Sequence, residues 1–242
     1  AGLMLRAVEL ARDARDAFWL DEKNRKGRLK PLVAASIGPY GACLHDGSEY
    51  HGDYDLDKQQ LMDFHRPRMA LLADTDMDVF ALETIPSLLE AEALLELLNE
   101  FPERKALLSF SCRDGMHVAH GEPFSQCAQL GDESRQVLAV GVNCTSPAYI
   151  SDLLMSASHV ETPLMVYPNS GETWSAESQR WQGDACDGFE VVAWRERGAR
   201  VLGGCCRTTS EDIRRMRGEL LANNDSRSAR IGRGNTQERV VE

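Results

Sequence analysis

The sequence predicts an α/β protein built on a parallel sheet. Short apolar runs alternate with amphipathic stretches six times along the chain, and each run is bounded by turn-forming residues. Residues able to do chemistry also collect where the apolar runs end, the place where parallel α/β proteins carry their sites.

Taken in order, residues 2–20 have apolar side chains at helical spacing and read as an amphipathic helix. Residues 31–37 form a short apolar run closed by Gly38-Pro39-Tyr40-Gly41, the pattern of a buried strand. A loop rich in Gly, Asp and Tyr (46–54) leads to a second helix at 55–73. Strand 78–83 ends in Thr84-Ile85-Pro86, and strong helix formers occupy 87–99. Strand 106–112 precedes a Gly-rich loop and a short helix at 123–130. Strand 137–144 ends in Thr145-Ser146-Pro147, a good helix start, with a helix to residue 157. Strand 163–167 is followed by a long polar loop containing Trp174 and Trp181, then a helix at 187–197. Strand 200–204 runs into Cys205-Cys206, and a last helix spans 209–222. Residues 225–242 are polar and aperiodic and are expected to be disordered.

Strands alternating with helices imply a parallel sheet with covered faces. Closing it as a (β/α)8 barrel takes about two more strands ahead of residue 1. A doubly wound open sheet is the alternative, although no G-x-G-x-x-G follows any strand. No linker divides residues 1–224, which read as one domain.

Composition narrows the function. The 242 residues are 43% hydrophobic and 27% charged, ordinary for a globular chain, and the net charge of −11 argues against nucleic acid or an anionic membrane surface as partner. No apolar run approaches the roughly 18 residues needed to span a bilayer, and no signal peptide opens the chain, so a cytoplasmic location is expected. In that compartment the seven cysteines are read first as reduced thiols, metal ligands or nucleophiles.

Cys205 and Cys206 are neighbours, and on a regular strand their side chains would point to opposite faces. The preceding Gly203-Gly204 allows the backbone distortion that would bring both sulfurs together. Cys144 ends a strand two units earlier, on the same rim of the sheet. Three thiolates suit zinc and leave a fourth position for substrate. A vicinal disulfide or two buried packing cysteines remain open on spacing alone.

Gly141-Val142-Asn143-Cys144 together with Gly203-Gly204-Cys205-Cys206-Arg207-Thr208 resembles the paired signature of the homocysteine S-methyltransferase family. Ser36 to Gly41, Asp46 to Tyr50, His65 to Arg68, Ala81 to Thr84 and Tyr167 to Glu172 extend the similarity, which runs from about residue 3 to 222. These segments resemble in particular the branch that takes its methyl from S-methylmethionine, found in bacteria and, with selenocysteine as acceptor, in plants. The resemblance implies a (β/α)8 barrel of TIM type, with Zn²⁺ on Cys144, Cys205 and Cys206. It also implies methyl transfer from a sulfonium donor, S-methylmethionine or S-adenosylmethionine, to the thiol of homocysteine, giving methionine. Members of the family open with a strand bearing Asp-Gly and a second strand with a Ser-Tyr loop. Neither lies in this sequence, so the barrel is expected to lack its first two strands. Open edges at the 31–37 and 200–204 strands would then invite association with other copies. Betaine as donor, selenocysteine as acceptor, and a non-catalytic zinc-binding homologue are the alternative readings.

The resemblance implies that Glu83 anchors the amino group of the acceptor, the other reading being an acid that caps the next helix. Asn143 is expected to orient Cys144, contact substrate, or simply form a turn. Tyr167 and Ser170 would line the donor side or form a structural turn, and Gly38 and Gly41 would permit close backbone approach to substrate. Arg207 is expected in a structural ion pair. None of the six histidines is read as a metal ligand, Cys112 and Cys127 are read as packing residues, and Cys43 and Cys186 as loop thiols.

Overall fold

The fold is described from a computed structural model, covering residues 1–175 and 178–234, with residues 225–234 as backbone alone. Helices α1 (Gly2–Leu20) and α2 (Glu22–Arg25) lead into strand β1 (Ala34–Ile37). The chain then alternates through α3 (Lys58–Ala73), β2 (Val79–Ile85), α4 (Leu88–Leu98), β3 (Ala106–Phe110), α5 (Phe124–Asp132), β4 (Val137–Asn143), α6 (Ile150–Ser156) and β5 (Leu164–Tyr167). A small hairpin of β6 (Thr173–Ser175) and β7 (Arg180–Gln182) precedes α7 (Val191–Glu196), β8 (Ala199–Leu202) and α8 (Ser210–Gly234).

Local chemistry sets the helix starts. Asp57 and Gln60 form a reciprocal capping box at α3, and the Ser87 hydroxyl accepts from the Glu90 amide at α4. Ser87 therefore does the capping that was one reading of Glu83.

The main sheet runs β1-β2-β3-β4-β5-β8, and every pair in it is parallel. The strands lie in chain order with no reversal. Right-handed crossovers that always step the same way put their helices on one face, which is the wall of a barrel; a doubly wound sheet needs a reversal. Among the described residues the edges of this wall are β1 and β8.

Its two faces differ. Register puts Ile37, Leu82, Leu108, Val140 and Leu164 in one row, with Phe110, Val142 and Val166 behind them. All belong to the buried apolar core that the helices cover. The other face carries Ser36, Ala81, Ser109, Gly141, Asn143, Met165 and Tyr167. Small residues are obligatory at its centre: a Cβ on Gly141 would lie 1.7 Å from the Met165 carbonyl oxygen.

Three sequence expectations change. The loop holding Trp174 and Trp181 contains the β6–β7 hairpin, with the two tryptophans directly opposite each other. The Ala106 strand stops at Phe110, before Cys112. The last helix, expected over 209–222, has a helical backbone from Ser210 to Gly234, and 235–242 fall outside the described residues. Among the described residues no helix is long and apolar enough to cross a membrane.

Candidate metal centre

Cys144 follows β4 directly, and Cys205 and Cys206 follow β8 after two glycines. Strand β5 lies between β4 and β8, and its continuation holds both cysteine segments. The Cys144 amide donates to the Tyr167 carbonyl at 3.2 Å and the Cys205 amide to the Pro168 carbonyl at 2.8 Å. The Ser170 amide in turn donates to the Cys206 carbonyl at 3.1 Å. Three successive contacts from one segment thus lock two cysteine-bearing loops together.

The backbone is strained where the sulfurs converge. Cys144 has φ 46°, Arg207 φ 66° and, on β2, two strands from β4, Thr84 φ 62°. Non-glycine residues in this region cost on the order of 1–3 kcal/mol each and persist only where surrounding contacts hold them. The distortion expected at Gly203-Gly204 therefore falls on Arg207. Gly204 is required for space, since a Cβ there would sit 2.3 Å from Thr208 Oγ1.

The ligand atoms of Cys144, Cys205 and Cys206 all lie within 4.8 Å of one another, and Cys144 Sγ is 3.3 Å from Cys206 Sγ. A tetrahedral ion with metal–sulfur bonds of about 2.3 Å sets its sulfurs about 3.8 Å apart, so the trio matches the size of a metal site. Its protonation fits as well. Hydrogen bonds from Cys144 and Cys205 draw the Cys206 thiol down to about 3. Cys144 is pushed well up by its hydrogen bonds to Cys205 and Cys206 and then by burial. Cys205 is lowered by Cys144, yet its Cys206 contact and burial outweigh this and raise it. The cluster readily carries one negative charge and resists more until a cation replaces its protons. All seven cysteines are free thiols.

Beneath the sulfurs lies a closed polar network. Asn143 is fully buried; its Oδ1 accepts from the Thr84 amide at 2.7 Å and from Ser109 Oγ at 2.9 Å. Its Nδ2 donates to Thr84 Oγ1 at 2.7 Å and approaches Cys205 Sγ at 3.9 Å. The Tyr167 hydroxyl lies 2.5 Å from Ser109 Oγ and 3.1 Å from Glu83 Oε2; with the Ser109 proton on Asn143, the single tyrosine proton is shared between the two. Ser36 donates to the other Glu83 oxygen at 2.5 Å. The Tyr167 hydroxyl is raised by burial and then by the Glu83 charge, so it stays a donor at neutral pH.

Glu83, Asn143 and Tyr167 are thus brought together next to the cysteines. Ser170 donates its hydroxyl to Glu172, which Arg207 also binds at 3.0 Å, the ion pair expected of that arginine. Gly41 is tight against the chain itself: a Cβ would lie 2.5 Å from the Glu49 amide nitrogen. Nothing in the chain lies within 4 Å of a Cβ on Gly38, so no neighbouring residue requires glycine there. Ser109 went unremarked in the sequence, and Ser36 and Thr84 entered only as members of longer segments, because nothing but strand register marks their contacts. Tyr50 belongs here too, as its hydroxyl is raised by burial and then by Cys144 and Cys206. Cys144 and Tyr50 border a cavity of 500 Å³ on the same rim.

Comparison with known proteins agrees with this geometry. The family model described as homocysteine S-methyltransferase matches residues 1–220. Homocysteine S-methyltransferase YbgG of Bacillus subtilis (strain 168) is 49% identical over 214 residues, covering 87% of this chain and 68% of its own length. Homocysteine S-methyltransferase 4 of Zea mays is 45% identical over 224 residues, covering 88% of this chain and 66% of its own. The homocysteine methyltransferase MmuM of Escherichia coli superimposes in its oxidized form with TM-score 0.78 at 39% identity, and in its metallated form with 0.76 at 40%. Both matches cover 90% of this chain and 70% of the MmuM chain, so the present chain spans about two thirds of its relatives' length. With a matching family model across nearly all its length and a three-sulfur site at the strand ends, the chain belongs to the homocysteine S-methyltransferase family.

Proposed function

We propose that Cys144, Cys205 and Cys206 hold zinc, and that the site transfers a methyl group from the sulfonium of S-methylmethionine to the thiol of homocysteine. Both substrates leave as methionine. The observation that carries this reading is the convergence of three sulfurs within 4.8 Å. Zinc, when bound there, ionises the acceptor thiol at neutral pH.

Magnitudes say which residues matter most. A thiol of pKa about 8.5 is roughly 3% ionised at pH 7, so full ionisation supplies about 30-fold, near 2 kcal/mol. Orientation of two reactants supplies about 7–11 kcal/mol. The larger share therefore falls to residues that aim the substrates. Glu83 receives the ammonium of homocysteine, its two oxygens already fixed by Ser36 and Tyr167. Asn143 braces the β2 turn at Thr84 against Cys205. In the transfer the acceptor sulfur forms a new S–CH3 bond and the donor C–S⁺ bond breaks. Its electron pair returns to the donor sulfur, which becomes a neutral thioether. No proton leaves the methyl, so no general base is needed. The reduced thiols that the site requires support a cytoplasmic location for the reaction.

The test incubates the zinc-loaded protein with homocysteine and, in separate arms, S-methylmethionine, S-adenosylmethionine and betaine, following methionine and bound metal. Methionine from a sulfonium donor, about one zinc per chain, and loss of both in Cys205→Ser/Cys206→Ser are the expected results. Zinc retained by the double variant overturns the ligand assignment, and turnover with betaine alone overturns the donor.

A further inference from the structure

The β6–β7 hairpin has no part in the thiol site so far, yet its tryptophans face that site's cavity. Trp174 and Trp181 are cross-strand partners with ring centroids 5.6 Å apart, and both are only half buried. Together with Tyr50 they line the 500 Å³ cavity that reaches Cys144. The same three side chains line an adjoining cavity of 310 Å³, whose wall includes Glu49. The aromatic trio is thus common to a lobe that reaches Cys144, where Asp46 and the arginine-paired Glu172 also lie, and one that reaches Glu49. Glu49 Oε2 is buried without a hydrogen-bond partner, an arrangement that calls for a cation. Arginines on this rim are already matched: Arg113 lies 3.7 Å from Asp114 and Arg207 is 3.0 Å from Glu172.

We propose that Trp174, Trp181 and Tyr50 form the receptor for the donor's sulfonium, and that Glu49 supplies its counter-charge. This rests on the methyl transfer proposed above and adds which residues select the donor. A sulfonium is a diffuse, weakly hydrated cation, and aromatic faces attract such charges most strongly once water is excluded. A carboxylate in the adjoining cavity, behind the same three rings, adds Coulomb attraction that a neutral thioether does not feel. The trio thereby distinguishes S-methylmethionine from the product methionine, which differs from it by one methyl and one positive charge. Release of product follows from the loss of that charge.

Calorimetric titration of the zinc-loaded protein with S-methylmethionine and, separately, with methionine tests this. The proteins compared are the wild type, Trp174→Leu, Trp181→Leu and Glu49→Gln. Each tryptophan change is expected to weaken sulfonium binding on the order of tenfold, and Glu49→Gln on the order of fivefold. Methionine affinity, homocysteine KM and zinc content should stay within about twofold of wild type. Trp174→Phe should recover most of the loss, as a ring without the indole nitrogen still offers a face. Equal weakening of S-methylmethionine and methionine would reduce the trio to an apolar wall and overturn the proposal, as would unchanged sulfonium affinity in both tryptophan variants. If the wild type binds S-methylmethionine in this selective way but forms no methionine, the reaction proposed above fails while the receptor stands.

Discussion

The two faces of the main sheet are made by the same strands and serve different ends. On the helix-covered face Ile37, Leu82, Leu108, Val140 and Val166 are fully buried aliphatics that make no polar contact. On the opposite face Ser36, Ser109, Asn143 and Tyr167 form a hydrogen-bonded chain from Glu83 to the cysteines. Strand alternation separates the two by a single residue: Val142 belongs to the core and Asn143 to the site. Stability and chemistry are thus carried by neighbouring residues with little in common, and substitutions on each face should move different measurements.

The largest expected effect is on the helix-covered face. Leu108→Ala removes a fully buried side chain from the middle of the sheet and should cost about 2–5 kcal/mol of unfolding free energy in urea. Zinc content of the folded fraction should be unchanged. A variant that loses zinc affinity in step with stability would mean that the faces are coupled. Asn143→Ala should show the reverse. It leaves the Thr84 amide and Ser109 hydroxyl without their acceptor, at about 1–3 kcal/mol of stability. Its larger effect should fall on the metal, about 10–100-fold in affinity, because residues behind a ligand fix its position. Competition with a chromophoric chelator reads this directly, and an affinity within about twofold of wild type would detach Asn143 from the centre.

What could be read from the sequence follows the same division. The apolar runs announced every strand of the main sheet, since a parallel sheet buried on its helix side needs short, nearly continuous aliphatic stretches. Cys144, Cys205, Cys206, Glu83, Asn143 and Tyr167 were legible as unusual residues at strand ends. Their connections were not. That Tyr167 meets Glu83 across 84 residues depends on strand register and side-chain rotamers, and the left-handed turn at Thr84 leaves no mark in a Thr-Ile-Pro sequence. His65 shows the limit on the helices. Its spacing gave only a helix position, whereas it lies fully buried, 2.8 Å from an equally buried Glu90. Glu90 also accepts from the Tyr40 amide at 2.6 Å and so ties the β1 loop to α4. A buried acid on a predicted amphipathic helix reads as surface until its partners are seen. The β6–β7 hairpin was missed for another reason: strands of three residues among Gly, Glu, Ser and Gln lack the length to show alternation.

The smallest expected effect sharpens the comparison within the polar face itself. Tyr167→Phe deletes one hydroxyl that meets Ser109 and Glu83, and keeps the ring packed where it is. Ser109 retains Asn143 as a partner and Glu83 retains Ser36, so no buried group is left wholly unpaired. Stability should therefore fall by only about 0.5–1.5 kcal/mol, the usual net worth of one hydrogen bond. Zinc affinity should not change, because Tyr167 meets the cysteines through its backbone carbonyl, which the substitution preserves. The Glu83 carboxylate, held on one side only, would lose its fixed angle towards the acceptor's ammonium. The homocysteine KM should rise several-fold, on the order of 3- to 10-fold, with the donor KM unmoved, as befits the loss of one positioning contact. Initial-rate measurements with each substrate varied in turn distinguish the outcomes. A rise in both KM values would place Tyr167 on the shared wall between donor and acceptor, and a change in zinc affinity would show that its hydroxyl, through Ser109 and Asn143, reaches the metal centre after all.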